Sequence, residues 1–198
     1  MKSITYWHPF IYSLLMQLSY KKYYLDRYKV VSDLIESNSS ILDICCGDCK
    51  IYDFLKVKNV NYVGIDFNKA FVKAAQNKGI RAYRLDIIKD EIPKADIILM
   101  QASLYQFIPY HTEVINKLLN CAIKKLILCE PIKNHATSKI KIISKMAYLL
   151  NNPGNGIKPY RFNMQTLQKA LQPFKKNIIK EFLTPYQIEY IVIMRKTY

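Results

Sequence analysis

At 198 residues and 23.3 kDa, the chain is long enough for one domain, and a domain of this size buries roughly 70% of the surface its unfolded form exposes. A hydrophobic fraction of 51% against 23% charged residues excludes wholesale disorder, and no apolar run reaches the roughly 18 residues of a membrane span. The net charge of +15 points either to an anionic partner or to biased residue usage, since 25 of the 30 basic residues are Lys.

Residues 6–37 show helical spacing. Tyr12, Leu15, Met16 and Leu18 mark one helix, and Tyr28, Val31, Leu34 and Ile35 a second. Short apolar runs follow, alternating with helical stretches. Strands are predicted at Ser40–Cys45, Asn61–Asp66, Ala82–Asp86, Asp96–Met100 and Lys125–Cys129, with helices at Lys50–Lys56, Lys69–Lys78 and Glu113–Ile123. Continuous apolar strands separated by helices argue for a parallel sheet covered on both faces. The tail departs from that rhythm. Ile178–Leu183 and Ile188–Met194 are strand-like with only a short turn between them, which reads as an antiparallel hairpin. Between these regions, 131–175 is longer than one crossover needs. A helix over Ala136–Leu150 and a turn-rich Asn151–Gly156 precede a helix near Met164–Leu171.

Five cysteines, three of them within Cys45–Cys49, make a poor disulfide framework. Without a small-residue cleavage site at the N-terminus, the expected compartment is the reducing cytoplasm. Cys46 and Cys49 form a Cys-x-x-Cys beside Cys45, so zinc and redox readings stand beside the one developed here. A zinc site lacks a fourth ligand at paired spacing, and a thioredoxin-like site leaves the acids described next unexplained.

The most informative segment is Asp43-Ile44-Cys45-Cys46-Gly47-Asp48-Cys49, a buried strand running into a turn of small residues and a helix start. In doubly wound folds the first such turn cradles the ligand. A dinucleotide site calls for three glycines; here only Gly47 is present, and the segment opens with an acid. An acid disfavours a pyrophosphate and suits a ligand carrying a cationic amino group. Asp66 ends the second strand, at the spacing of a carboxylate that accepts ribose hydroxyls, and Asp86 ends the third. Each acid alone has an ordinary reading as a helix cap or turn former; three in register are harder to explain that way.

These residues, with Val63-Gly64-Ile65-Asp66 and Arg84-Leu85-Asp86, resemble motifs I, II and III of the class I S-adenosylmethionine-dependent methyltransferases. Cys45 and Cys49 stand at two positions where the family usually has glycine. The likeness covers about 40–130 and the terminal hairpin. It implies a Rossmann-like, doubly wound seven-stranded sheet, mostly parallel with an antiparallel C-terminal strand and helices on both faces. The chain then reads as one methyltransferase domain over 1–198, in which the segments outside the likeness are a helical cap at 1–39 and an insertion or lid at 132–162. The implied cofactor is S-adenosyl-L-methionine, with S-adenosyl-L-homocysteine as product. The turn from Asp43 through Cys45 to Gly47 would contact the methionyl part and Asp66 the ribose. Phe67 would pack on adenine, Asp86 and the Ile87 backbone would read its edge, and Gln101 would touch the methionyl group or the acceptor.

On the acceptor side, Gln101-Ala102-Ser103-Leu104 lacks the Asn/Asp-Pro-Pro-Tyr of amide methyltransferases and looks more like the small-molecule enzymes. Tyr105 and His111 are the candidate catalytic residues. Ser103, Tyr105, Gln106, His135, Tyr160 and Arg161 are candidate acceptor contacts, each with packing or capping as its ordinary alternative. Glu130, at the end of the fifth strand, and His135 are further candidates for a base. Residues 131–180 hold ten basic residues and no acid, and Lys141 and Lys145 lie opposite the apolar face of Ala136–Leu150. That segment reads as a lid, a membrane-surface element or a nucleic-acid contact. The expected activity is methyl transfer to a small or lipid-like, anionic acceptor. The alternatives are an RNA methyltransferase, disfavoured by only five arginines, and a non-catalytic cofactor-binding scaffold.

Overall fold

A computed structural model describes residues 9–133 and 161–197. The strands β1 (Ser40–Ile44), β2 (Asn61–Asp66), β3 (Ala82–Arg84), β4 (Ala95–Gln101), β5 (Ala122–Pro131), β6 (Ile178–Leu183) and β7 (Glu189–Met194) form one sheet, ordered β3-β2-β1-β4-β5-β7-β6. β1 to β5 are parallel, and β7 runs antiparallel between β5 and β6. The order reverses between β1 and β4, whose carboxyl ends lie side by side with Ile44 opposite Met100. In open α/β sheets a crevice forms above such a reversal.

The central strands are apolar throughout because both faces are covered. On one face Leu42, Ile98 and Leu126 pack under α5 (His111–Cys121) and α6 (Met164–Leu171) through Val114, Leu118 and Leu167. On the other face Ile41, Ile97 and Ile127 pack under α1 (Pro9–Tyr20), α2 (Asp26–Ser32), α3 (Tyr52–Leu55) and α4 (Lys69–Asn77). Those helices contribute Tyr20, Val31, Leu55 and Val72. Local signals set where helices begin. Asn68 caps α4 by accepting the Ala70 N–H, and Asn163 and Thr166 form a reciprocal capping box at α6. β7 is buried along its whole length, whereas β6 is largely exposed at the sheet edge, where Lys180 and Glu181 discourage further strand pairing.

β5 is longer than the sequence pattern suggests, and α5 correspondingly stops at Cys121 rather than Ile123. Ala122 already pairs with Ala95, so the edge of β4 captures the chain before the helical periodicity ends. The polar residues Lys124 and Lys125 are accommodated because the Lys125 ammonium reaches the Leu34 carbonyl at 2.7 Å. The predicted helix at Ala136–Leu150 lies outside the described residues, as do His135 and Tyr160.

Candidate cofactor crevice

The turn after β1 is built from alternating left-handed residues. Cys45, Gly47 and Cys49 have φ of 57°, 54° and 54°. The left-handed region is cheap for glycine and costs another residue roughly 1–2 kcal/mol. Two of the three carry side chains nonetheless, and the turn keeps the glycine-like backbone. Its N–H groups are mostly spent within the protein: Cys46 donates to the Ile65 carbonyl and Cys49 to the Cys46 carbonyl. Gly47 N–H donates to Asp66 Oδ2 at 2.9 Å, and Asn68 N–H donates to Asp66 Oδ1 at 2.7 Å. The Asp66 carboxylate at the end of β2 is therefore tied to the turn, with each oxygen still able to accept a second hydrogen bond. Burial raises its pKa, and the two N–H groups pull it back.

Asp43 is a different kind of acid. It is 3% exposed beneath the turn and accepts the Tyr62 hydroxyl at 2.6 Å. Burial pushes its pKa up to about 7, against the pull of Tyr62. Its carboxyl braces the base of the turn against β2. Asp86 closes its own loop after β3 by accepting the Ile88 N–H at 3.0 Å, and Ile87 is core. Phe67 is 53% exposed beside Asp66, with the Arg84 guanidinium 5.1 Å from its ring centre.

The exit of β4 supplies the second wall. Ser103 and Leu104 both donate their N–H to Glu130 Oε1 at 2.7 Å. Glu130 is 2% exposed, and burial lifts it to about 7 despite those bonds and the Arg161 charge. The Arg161 guanidinium carbon lies 3.3 Å from the Tyr105 ring centre, an arrangement that leaves the edge donors of a guanidinium available for an anion. Ser103 Oγ donates to the Gln101 carbonyl, and Cys45 is close enough to hydrogen-bond Ser103, so the first turn and the β4 exit meet. Gln101 Nε2 is buried without a hydrogen-bond partner among the described residues. His111 begins α5 edge-on to Phe162, with a buried Nδ1 that also has no hydrogen-bond partner among the described residues. Gln106 makes a long contact to the Tyr105 hydroxyl at 3.4 Å.

The helices before β1 close a third side. The Tyr12 ring of α1 covers Gly47, 3.5 Å from where a Cβ would sit, and meets Phe71 of α4 edge-on. Burial raises the Tyr12 pKa, with Asp48, Tyr105 and Asp66 adding to the effect. Behind it Arg27 of α2 pairs with Glu189 of β7 at 3.0 Å, both almost fully buried. Tyr20 donates to the same carboxylate oxygen and Tyr186 to the other.

Of the predicted residues, Cys45, Gly47, Asp66, Gln101, Ser103, Tyr105 and Arg161 lie at the carboxyl ends of β1, β2 and β4 and before α6, Asp43 lies beneath the turn, Asp86 and Ile87 follow β3, and His111 begins α5. Sequence reasoning passed over Arg27 and Glu189, whose ion pair joins residues 162 apart in the chain.

A profile for the family described as methionine biosynthesis protein MetW matches residues 26–162, more than half of the chain. The chain belongs to the MetW family. No curated protein matches it. Similar solved structures include magnesium protoporphyrin IX methyltransferase from Synechocystis PCC 6803 with bound S-adenosylhomocysteine: 17% identity, 87% of this chain and 81% of that one, TM-score 0.59. A SAM-dependent methyltransferase from Aquifex aeolicus is 14% identical over 85% of this chain and 88% of that one, TM-score 0.62. An O-methyltransferase family 2 protein from Planctomyces limnophilus in complex with apigenin is 15% identical over 86% and 56%, TM-score 0.62. The fold of this MetW-family chain is that of the class I S-adenosylmethionine-dependent methyltransferases. Among the described residues, no helix is long and apolar enough to cross a membrane.

Proposed function

We propose that this chain binds S-adenosylmethionine in the β1–β4 crevice and transfers its methyl group to a small anionic acceptor. The observation that carries the reading is the Asp66 carboxylate held against the left-handed Cys45–Cys49 turn by the Gly47 N–H. The residues present suit the cofactor. Asp66 has acceptor capacity for ribose hydroxyls, Phe67 offers a half-exposed ring, and the buried Gln101 Nε2 is a donor without a hydrogen-bond partner among the described residues.

When bound, S-adenosylmethionine supplies a methyl group already activated on a sulfonium sulfur, so an in-line displacement needs positioning more than chemistry. Tyr12 and the Arg27–Glu189 anchor behind it keep water from the turn. Arg161, flat on Tyr105, holds the acceptor's negative group at the mouth. Glu130, poised near neutrality, takes a proton from an acceptor that arrives protonated.

Titrating S-adenosylhomocysteine into the reduced chain by calorimetry tests the cofactor half. One site is expected, lost in Asp66→Ala. Incubation with methyl-labelled cofactor and cell extract fractionated by anion exchange tests the acceptor half, with label expected in the small anionic fraction. No binding by the wild-type chain, or binding that survives Asp66→Ala unchanged, refutes the first; label confined to RNA or protein refutes the second.

A further inference from the structure

Methyl transfer makes no use of the cysteine pair inside the cofactor turn. Cys46 and Cys49 end a four-residue turn closed by the Cys49 N–H donating to the Cys46 carbonyl at 2.9 Å. A turn so closed holds its end Cα atoms within about 7 Å, the range a disulfide spans. The side chains converge as well. A Cβ built on Gly64 would lie 2.8 Å from Cys46 Sγ and 3.1 Å from Cys49 Sγ, so both sulfurs reach the same point above β2. The two thiols hydrogen-bond to each other, and both are free. Cys45 belongs to another neighbourhood, beside Ser103 and Glu130, and does not compete for either partner.

We infer that Cys46 and Cys49 form a reversible intramolecular disulfide that reshapes the cofactor turn and weakens binding in the crevice. The electron balance needs a small-molecule disulfide such as oxidised glutathione. One cysteine thiolate attacks it, forming a mixed disulfide and releasing one glutathione thiol. The second cysteine thiolate then attacks the protein sulfur, forms the Cys46–Cys49 bond and releases the second. Two electrons pass from the protein pair to the oxidant, and the two thiol protons end on the released glutathione. An S–S bond of about 2.05 Å draws the two sulfurs together from their seats over Gly64. Gly47 lies between them in the chain and donates to Asp66, so the closure moves the ribose acid's own anchor. The hydrogen bond from Cys49, then burial, then the charges of Cys49, Asp43 and Asp66 hold the Cys46 thiol well above its ordinary range. Tyr62 packs against the same pair. Attack by the Cys46 thiolate therefore quickens as pH rises.

The pairing rests on the cysteine geometry alone, and its effect on binding rests on the cofactor reading above. The full chain is equilibrated over a series of reduced-to-oxidised glutathione ratios, quenched in acid, alkylated and mapped by mass spectrometry. Two of the five cysteines are expected to become protected, with Cys45 still alkylated, and dithiothreitol is expected to restore them. Cys49→Gly suits the left-handed φ at that position, so it folds, as a thermal melt checks, and it lacks the protected pair. Calorimetry with S-adenosylhomocysteine is expected to show about tenfold weaker binding to the oxidised chain, with Cys49→Gly indifferent to the oxidant. No protected pair at the most oxidising ratio, or a mixed disulfide left standing at Cys46, overturns the pairing. A mapped Cys46–Cys49 bond with unchanged affinity overturns its effect on binding. A reduced chain that binds no S-adenosylhomocysteine refutes the function proposed above, while the peptide map by itself still decides the pairing.

Discussion

Replacing Glu189 with glutamine leaves a guanidinium in the interior without its counter-charge. Arg27 is 2% exposed and Glu189 0%, and the carboxylate takes the Arg27 Nε and a terminal nitrogen, both at 3.0 Å, on one oxygen. The Tyr20 hydroxyl shares that oxygen at 3.0 Å, and the Tyr186 hydroxyl holds the other at 2.8 Å. Glutamine keeps the shape but removes the charge, and it replaces one acceptor with a donor that faces the Tyr186 hydroxyl or the guanidinium. Breaking a buried pair on one side costs about 3–5 kcal/mol. At this chain length each kcal/mol lowers Tm by about 2–4 °C, so Glu189→Gln should melt about 10 °C lower. Arg27→Met strands the carboxylate and should cost a similar amount. The double variant Arg27→Met/Glu189→Met removes both charges and keeps the volume, so it should recover most of the loss. Thermal and urea unfolding of wild type, Arg27→Met, Glu189→Met and the double variant close the cycle. Singles within about 1 kcal/mol of wild type, with an additive double variant, would refute the claim that this pair anchors the helices before β1 to β7.

Other outcomes follow from the same geometry. Gly64→Ala puts a methyl 2.8 Å from Cys46 Sγ on a central strand, and overpacking of this kind costs about 1–3 kcal/mol; Cys46→Ala should rescue it, and a neutral Gly64→Ala in urea unfolding would contradict the packing. Asp43 and Glu130 titrate near 7 when folded, well above the ordinary carboxylate range. Between the ordinary carboxylate value of about 4 and the folded value of about 7 the folded state binds more protons than the unfolded state, so stability should fall as pH rises from about 4 to 7. Asp43→Asn and Glu130→Gln should each flatten that slope in Tm measured against pH, and a flat wild-type profile would contradict both assignments. Arg161→Ala should raise KM for the anionic acceptor with kcat little changed, since the guanidinium rests on Tyr105 and the transfer itself does not need it.

Much of the fold was legible locally. β6 and the helix Met164–Leu171 fall where the pattern places them, because apolar runs bounded by turns and helical spacing are short-range signals. The acids at the ends of β1 and β2 were legible as a series, yet their roles diverge. Asp66 faces the turn while Asp43 lies beneath it against Tyr62, a difference of burial that no spacing encodes. The fifth strand was read too short because the β4 edge decides where α5 stops.

Sequence alone determined the strand–helix alternation, the small-residue turn at Cys45–Cys49 and the acids that accompany it, since each depends on residues a few positions apart. Tertiary structure decided which groups meet. Glu130 anchors Ser103 and Leu104, Arg161 lies on Tyr105, Tyr12 covers Gly47, and Arg27 pairs with Glu189. Those contacts join segments far apart in the chain, and the pairing of β1 beside β4, with β5 and β7 following in the sheet, brings them to one end of it. Burial there lifts the pKa values of Asp43 and Glu130 to about 7, and the hydrogen bond from Cys49 together with burial raises that of the Cys46 thiol.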